Sequence, residues 1–308
     1  MIKLYKGDCL IESDKIESGS VDLILTDLPY GTVKDIKNVN HGMSGKCDWD
    51  VVIDTDKIME IANRILRENG KMILTSQQPF TNELINKAVV NVPFNYSMIW
   101  EKDHFANALT AKKAPLNYYE DVLVFSKKYD FDALHPLRNY FRTLLNFIDL
   151  KNKIIIETIG QRVDHCFRVD SLQFKLCKKE TYLDLIKEFS INNMDGFLAY
   201  TDLEEINKKY ESTFNLWEGN KVKSNILKYK KDYTGHHPTQ KPVLLLEDLI
   251  KTFSNENDLV VDLTMGSGST GVACKNTNRD FIGIEMNNEY FKIATDRINK
   301  EEPQKELF

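Results

Sequence analysis

The sequence predicts an α/β fold: an open, doubly wound, mostly parallel sheet with a mainly helical insertion. Three observations carry this reading. Val21–Thr26 and Leu259–Leu263 are apolar runs without strict alternation, the pattern of strands buried on both faces. Each run ends in residues suited to a ligand. The first runs into Asp27-Leu28-Pro29-Tyr30, the second into Asp262 and the turn Gly266-Ser267-Gly268, and open α/β sheets bind ligands at such C-terminal strand ends. Around these runs strand and helix patterns alternate, except over about 128–234.

The elements follow in order. Lys3–Lys6 is a short strand ending at Gly7-Asp8, and Val21–Thr26 is the next. Asp54 and Thr55 cap a helix whose Ile58, Ile61, Ala62, Ile65 and Leu66 recur at helical spacing, and Gly70 ends it. Lys71–Ser76 is a strand, and Pro79 opens another helix. Asn95–Glu101 and Asp121–Ser126 are a pair of strands that fits an antiparallel hairpin. Past the insertion, Val243–Phe253 is a helix, Leu259–Leu263 a strand and Thr270–Asn276 a helix. Asp280–Ile284 is a strand ending at Glu285, Glu289–Asn299 a helix, and Lys300–Phe308 a loose tail. Within the insertion, Asn139–Asp149, Lys153–Ile159, Thr181–Phe189 and Leu203–Tyr210 have helical patterns. These fit either a helix-turn-helix-like unit or a bundle that buttresses the sheet. The expected division is 1–127, 128–234 and 235–308.

A chain of 308 residues, 42% hydrophobic and 28% charged, has the composition of a soluble globular protein. It contains no apolar run of bilayer length, and its first six residues are too polar for a signal peptide, so no membrane partner is expected. Cys9, Cys47, Cys166, Cys177 and Cys274 are scattered without a Cys-x-x-Cys pair, as in a reduced cytoplasmic protein with no metal site. A net charge of −5 argues against a general nucleic-acid coat. Binding depends on local patches, however, and Lys221, Lys223, Lys228, Lys230 and Lys231 interleave with Tyr229 and Tyr233. That stretch reads as a solvated basic loop or as a surface for DNA phosphates.

The glycine turn lets the backbone approach a ligand closely and leads into a helix N-terminus, which favours an anionic group. Gly266, Gly268 and Gly271 fit Gly-x-Gly-x-x-Gly, and Glu285 fits the acid that receives a ribose hydroxyl pair. On these residues alone a nicotinamide dinucleotide and S-adenosyl-L-methionine (SAM) are both open. A third motif, His237-Pro238-Thr239-Gln240-Lys241-Pro242, lies just before the second strand.

Together the three motifs resemble those of the amino-methylating DNA methyltransferases, which modify adenine N6 or cytosine N4. The family's Asp/Asn/Ser-Pro-Pro-Tyr/Phe is here Asp27-Leu28-Pro29-Tyr30. Its Asp-Pro-Phe-x-Gly-Ser-Gly-Thr-Thr is here Asp262-Leu263-Thr264-Met265-Gly266-Ser267-Gly268-Ser269-Thr270. Leu28 and Leu263 stand where Pro is usual, but every acid and glycine is kept. The resemblance covers about 1–127 and 235–300. It implies a Rossmann-like SAM-dependent methyltransferase fold with the circularly permuted motif order of the β subclass. It further implies that Asp27, Pro29 and Tyr30 are catalytic, with Asp27 and the Pro29 carbonyl accepting the target amine's hydrogens and Tyr30 stacking on a flipped base. Asp8, Asp262, Gly266, Gly268, Glu285, Thr239 and Lys241 would hold SAM. Trp100, Lys102 and Asn117–Glu120 are fingerprint positions without an assigned role. The insertion occupies the family's target-recognition slot, and the loop 31–50 with Trp49 follows the catalytic motif. Asp27 in the first motif position leans towards adenine. A cytosine-N4 enzyme, a non-catalytic DNA-binding protein on the same scaffold and an RNA methyltransferase are the alternatives. The partner implied is double-stranded DNA in a prokaryotic or phage-encoded system. Monomer and homodimer are both compatible, and a companion restriction enzyme is the further partner the resemblance suggests.

Overall fold

The computed structural model describes residues 1–30, 52–106, 111–128, 135–171, 173–210, 212–216, 221–232 and 240–300. Thr239, the His237-Pro238 pair, Tyr233, Cys47, the loop 31–50 with Trp49 and the tail 301–308 lie outside the described residues. The chain divides into two compact units, Met1–Lys128 with Ser212–Phe308, and Tyr129–Glu211.

The first unit begins with β1 (Ile2–Lys6), α1 (Cys9–Glu12), β2 (Val21–Thr26), α2 (Thr55–Ile65), β3 (Leu66–Ser76), α3 (Phe80–Asn86), β4 (Phe94–Ala106) and β5 (Asn117–Ser126). The second unit holds α4 (Pro136–Ile148), α5 (Asn152–Ile159), α6 (Asp164–Phe167), α7 (Lys179–Phe189) and α8 (Tyr200–Tyr210). The first then resumes with β6 (Ile226–Lys228), α9 (Val243–Phe253), β7 (Leu259–Asp262), α10 (Ser269–Asn276), β8 (Asp280–Glu285) and α11 (Asn288–Asn299).

One eight-stranded sheet runs β1-β8-β7-β2-β3-β5-β4-β6. The β1, β8, β7, β2 and β3 strands are mutually parallel. The hairpin β4–β5 is antiparallel, as expected. Both faces are covered, which explains the apolar runs without strict alternation. Ile24, Met72, Leu74, Leu123, Phe125 and Val261 join α2 and α3 on one face. Leu23, Leu25, Ile73, Val122, Val124 and Val260 join α9, α10 and α11 on the other. Asp22 fixes the relative height of two central strands, accepting the Leu259 N–H at 2.8 Å.

Two boundaries differ from the sequence expectation. The helix expected to reach Gly70 ends at Ile65, because Leu66 already pairs with Val21 in the sheet. The strand then passes a register shift, with Asn69 at φ 60°. The Asp54 cap is as expected, accepting from the Asp56 and Lys57 N–H groups. The second unit ends at Glu211 rather than 234, since Ile226–Lys228 is an edge strand parallel to β4. Three residues carry too little pattern for such a long-range pairing to be read locally.

The second unit is helical throughout its described residues, around a core with Phe141, Ile155, Cys166, Tyr182 and Leu203. Its helices end where the sequence indicates: Gly160 closes α5 at φ 98°, and Asp149 closes α4 in the left-handed conformation. Among the described residues, no helix is long and apolar enough to cross a membrane.

Candidate active site

The β2 and β7 strands are parallel neighbours, with Leu23 opposite Val260 and Ile24 opposite Val261. The Asp27 motif and the glycine turn therefore leave the sheet at the same edge. The helix α2 lies on one face and α10 on the other. The crevice between them is a topological switch point, where an open α/β sheet binds its ligand.

Threonines tie the two strand ends together. The Thr26 hydroxyl donates to Asp262 Oδ1 at 2.8 Å and lies 2.8 Å from the Thr264 hydroxyl, which donates to the Asp27 carbonyl at 3.0 Å. Asp262 also accepts the Thr264 N–H at 3.1 Å and the Thr270 hydroxyl at 2.6 Å. Much of this acid's hydrogen-bonding capacity is thus spent on shaping the turn. Burial pushes Asp262 up to about 6, against the lowering effect of its three hydrogen bonds, with a further upward push from Asp27. The folded state therefore holds this proton more tightly than the unfolded chain does. The cost of the buried charge is fully present above that value and vanishes as pH falls towards the ordinary 3.8. We expect the stability of wild type relative to Asp262→Asn to rise by about 2 kcal/mol as pH drops from 7 to 4. Denaturant unfolding of the two proteins across that range checks this; a flat difference would contradict it.

Glu285 accepts the Gly266 N–H at 2.9 Å on Oε2 and the Asn287 N–H at 2.6 Å on Oε1. Each oxygen keeps acceptor capacity, as a ribose hydroxyl pair requires, and burial raises its pKa. Gly266, at φ 51°, has open space where a Cβ would point. Gly268, at φ 83°, does not: a Cβ there would lie 2.9 Å from Ala294 Cα on α11. Its sequence-based role of leaving room for a ligand is replaced by helix packing. Asp8 is exposed and caps α1 by accepting the Leu10 N–H at 2.9 Å. It stands beside Glu285, because the Gly7 N–H donates to the Glu285 carbonyl at 3.1 Å.

Asp27 is gripped from three sides. Its Oδ1 accepts the Tyr30 hydroxyl at 2.8 Å and the Thr75 hydroxyl. Its Oδ2 accepts the Lys241 ammonium at 2.5 Å. A carboxylate has about four acceptor positions, so one remains on Oδ2. Tyr30 packs its ring against Phe80, with centroids 5.7 Å apart. Burial, then the charges of Asp27 and Glu120, raise its pKa well above the ordinary value. The hydroxyl thus has a role that the stacking assignment did not include. We expect Tyr30→Phe to slow methyl transfer about tenfold, the scale of one hydrogen bond to a charged group. Tyr30→Ala should be slower still; a Phe variant at wild-type rate would show that the hydroxyl does not matter.

The sequence placed Lys241 at the cofactor; its ammonium lies between Asp27 and Glu120, 3.2 Å from the latter. Its neighbour Gln240 accepts the Ser267 hydroxyl at 3.2 Å on the glycine turn. Adjacent residues of one motif thus touch both strand ends. Glu120 and Lys102, left without roles by the sequence, form a 2.6 Å ion pair behind Lys241. Thr26, Thr75 and Arg297 were missed. Arg297 donates to the Ser267 carbonyl at 2.7 Å from α11, a contact with no local sequence signature.

The five lysines expected at DNA phosphates are not equivalent. Lys221, Lys228 and Lys230 are exposed, with Lys228 3.2 Å from Glu101. Lys223 is drawn into a largely buried ion pair with Asp248. Lys231 is half-buried, its ammonium donating to the Phe105 carbonyl at 3.3 Å.

A pinned acid with one open acceptor, a second acid suited to a ribose and a glycine with open space thus stand together at a switch point. Residues 21–296 match the N6/N4 family of DNA methylases, and the chain belongs to that family. It is 38% identical to the type II methyltransferase M.HindIII of Haemophilus influenzae, over 97% of this chain and 95% of that protein. It is 26% identical to the DNA adenine methyltransferase YhdJ of Escherichia coli, over 96% of this chain and 82% of that one. It shares its fold with M1.HpyAVI, solved with SAM, at a TM-score of 0.55 and 20% identity, over 97% of this chain and 100% of that one. The PvuII cytosine-N4-specific DNA methyltransferase aligns at 0.54 and 14%, over 98% and 88%. SAM is the cofactor of this family, and the acceptors of Glu285 beside the open face of Gly266 fit it.

Proposed function

We propose that this chain methylates adenine N6 of a base flipped out of double-stranded DNA. The observation that carries the reading is the single open acceptor on Asp27, held at the same sheet edge as the glycine turn. When bound, SAM supplies an electrophilic methyl group. Glu285 and Gly266 would hold it, with Asp262 keeping the turn in shape.

An exocyclic amine is a weak nucleophile because its lone pair is delocalised into the base. The open position on Asp27 accepts one amine hydrogen and the Pro29 carbonyl the other, which localises the lone pair on nitrogen. Positive charge then develops on that nitrogen, facing acceptors that need no reorganisation. Asp27 takes the released proton or passes it to water. Base flipping costs a few kcal/mol; stacking on an aromatic such as Tyr30 returns roughly 1–3 kcal/mol, and phosphate contacts supply the rest.

The Asp at the head of the catalytic motif and the similarity to YhdJ favour adenine. The fold shared with PvuII keeps cytosine N4 as the second reading. The second unit would carry target recognition, with the exposed Lys221, Lys228 and Lys230 on phosphates. The order of the catalytic, His-Pro-Thr-Gln-Lys-Pro and glycine motifs along the chain supports the permuted arrangement. Single-molecule sequencing of DNA from cells expressing the chain tests the proposal. It should reveal N6-methyladenine in one sequence context; N4-methylcytosine instead would select the second reading, and unmodified DNA would reject both.

A further inference from the structure

Four charged groups form a line beneath the open acceptor. Asp27 Oδ2 lies 2.5 Å from Lys241, Lys241 lies 3.2 Å from Glu120, and Glu120 lies 2.6 Å from Lys102. Glu120 and Lys241 are each only 7% exposed. They come from four separate places in the sequence: the end of β2, the start of β5, the segment before α9, and β4. Buried ion networks are weak contributors to stability, because desolvation offsets the attraction. Three buried charges lined up behind Asp27 therefore call for a functional account.

We propose that Glu120 is a positioning residue for methyl transfer, holding the Lys241 ammonium on Asp27 Oδ2 so that the remaining acceptor of Asp27 faces the target amine. This rests on the assignment of Asp27 as the amine acceptor. The geometry supports it from each side. The Tyr30 and Thr75 hydroxyls fix Oδ1, so the carboxylate's last rotational freedom is set by what sits on Oδ2. Lysine has a flexible stem with three rotatable donors, and a single carboxylate would not fix it. Glu120 supplies the second anchor, and the Tyr30 ring, 5.8 Å from the ammonium, flanks it. Lys102, itself 5.2 Å from the Trp100 ring, neutralises Glu120 from behind. Trp100 is held in turn by its ring N–H donating to the Tyr229 carbonyl at 2.8 Å.

Among the described residues, the charges around Lys241 are Asp27, Glu120, Lys102 and Lys231. Burial alone would lower the Lys241 pKa, but Asp27 and Glu120 outweigh it and raise it above the ordinary lysine value. Burial would likewise raise Glu120, but Lys241 and Lys102 outweigh it and lower it. Removing the Glu120 charge must then let Lys241 lose its proton at lower pH.

The test is single-turnover methyl transfer by wild type, Glu120→Gln and Glu120→Asp across pH, with SAM affinity and melting temperature measured in parallel. Glu120→Gln should lose about tenfold or more in rate, the scale of one displaced transition-state contact. Its SAM affinity should stay near wild type and its alkaline limb should move to lower pH. Glu120→Asp should recover part of the rate and of the limb. A folded Glu120→Gln with wild-type rate and pH profile overturns the inference. So does a rate loss that only follows a lower melting temperature while the profile stays in place. A wild-type chain that transfers no methyl group to DNA overturns the functional reading, and the inference with it.

Discussion

Asp27→Ala is expected to lower methyl transfer at least about a hundredfold, the loss seen when one preorganised transition-state group is removed. SAM affinity should stay within a few-fold of wild type. The chemistry gives the direction. The variant loses the carboxylate proposed to accept an amine hydrogen and to take up the proton, and the Pro29 carbonyl alone cannot do both. The fold should survive, because Lys241 is not left alone in the interior: Glu120 remains 3.2 Å from its ammonium. Thr75 and Tyr30 each lose an acceptor that water can replace in the space vacated. Single-turnover transfer from labelled SAM measures the rate, and calorimetry measures the affinity. A variant within tenfold of wild type would remove Asp27 from the chemistry. A variant that has also lost SAM binding would mean that Asp27 serves the cofactor.

Gly268→Val is expected to fail in folding before it fails in binding. At φ 83° a side chain is disfavoured, and a Cβ would stand 2.9 Å from both Cα and Cβ of Ala294. Left-handed backbone costs roughly 1–2 kcal/mol for an L-residue, and overpacking adds about 1–3 kcal/mol. The clash is with helix backbone, so no side-chain rotation relieves it. The informative comparison is Gly266→Ala. At φ 51° it bears the conformational cost alone, with nothing within 4 Å of the new methyl group. It should melt only slightly below wild type yet bind SAM much more weakly, because the methyl group fills the face left for the ligand. Melting curves and SAM titrations of the pair separate the two roles. Equal stability with lost binding in Gly268→Val would restore ligand space as the reason for that glycine.

What was legible in the sequence was what local rules write. Apolar runs without strict alternation marked β2 and β7, because strands covered on both faces need no polar alternation. Asp54, Gly160 and Asp149 marked helix ends. The acids and glycines of the two motifs marked the ends of β2 and β7, since such residues follow buried strands mainly for turns and ligands. The Lys241 assignment shows where this reading stopped. Its motif is local but its position is not: the ammonium lies between Asp27 and Glu120.

The sequence by itself determined the fold class and marked the two strand ends that carry the proposed site, with Asp27 and Asp262 at their tips. Each is a property of a few consecutive residues and their preferences. Only the tertiary structure decided that those strands are neighbours, that Gly268 is spent on Ala294, that Lys223 pairs with Asp248, and that Glu120 and Lys102 stand behind Lys241. The physical reason is that partners far apart in the chain are chosen by the register of the sheet and by the cost of burying a charge without a counter-charge. Neither term can be evaluated until the strands have been placed side by side.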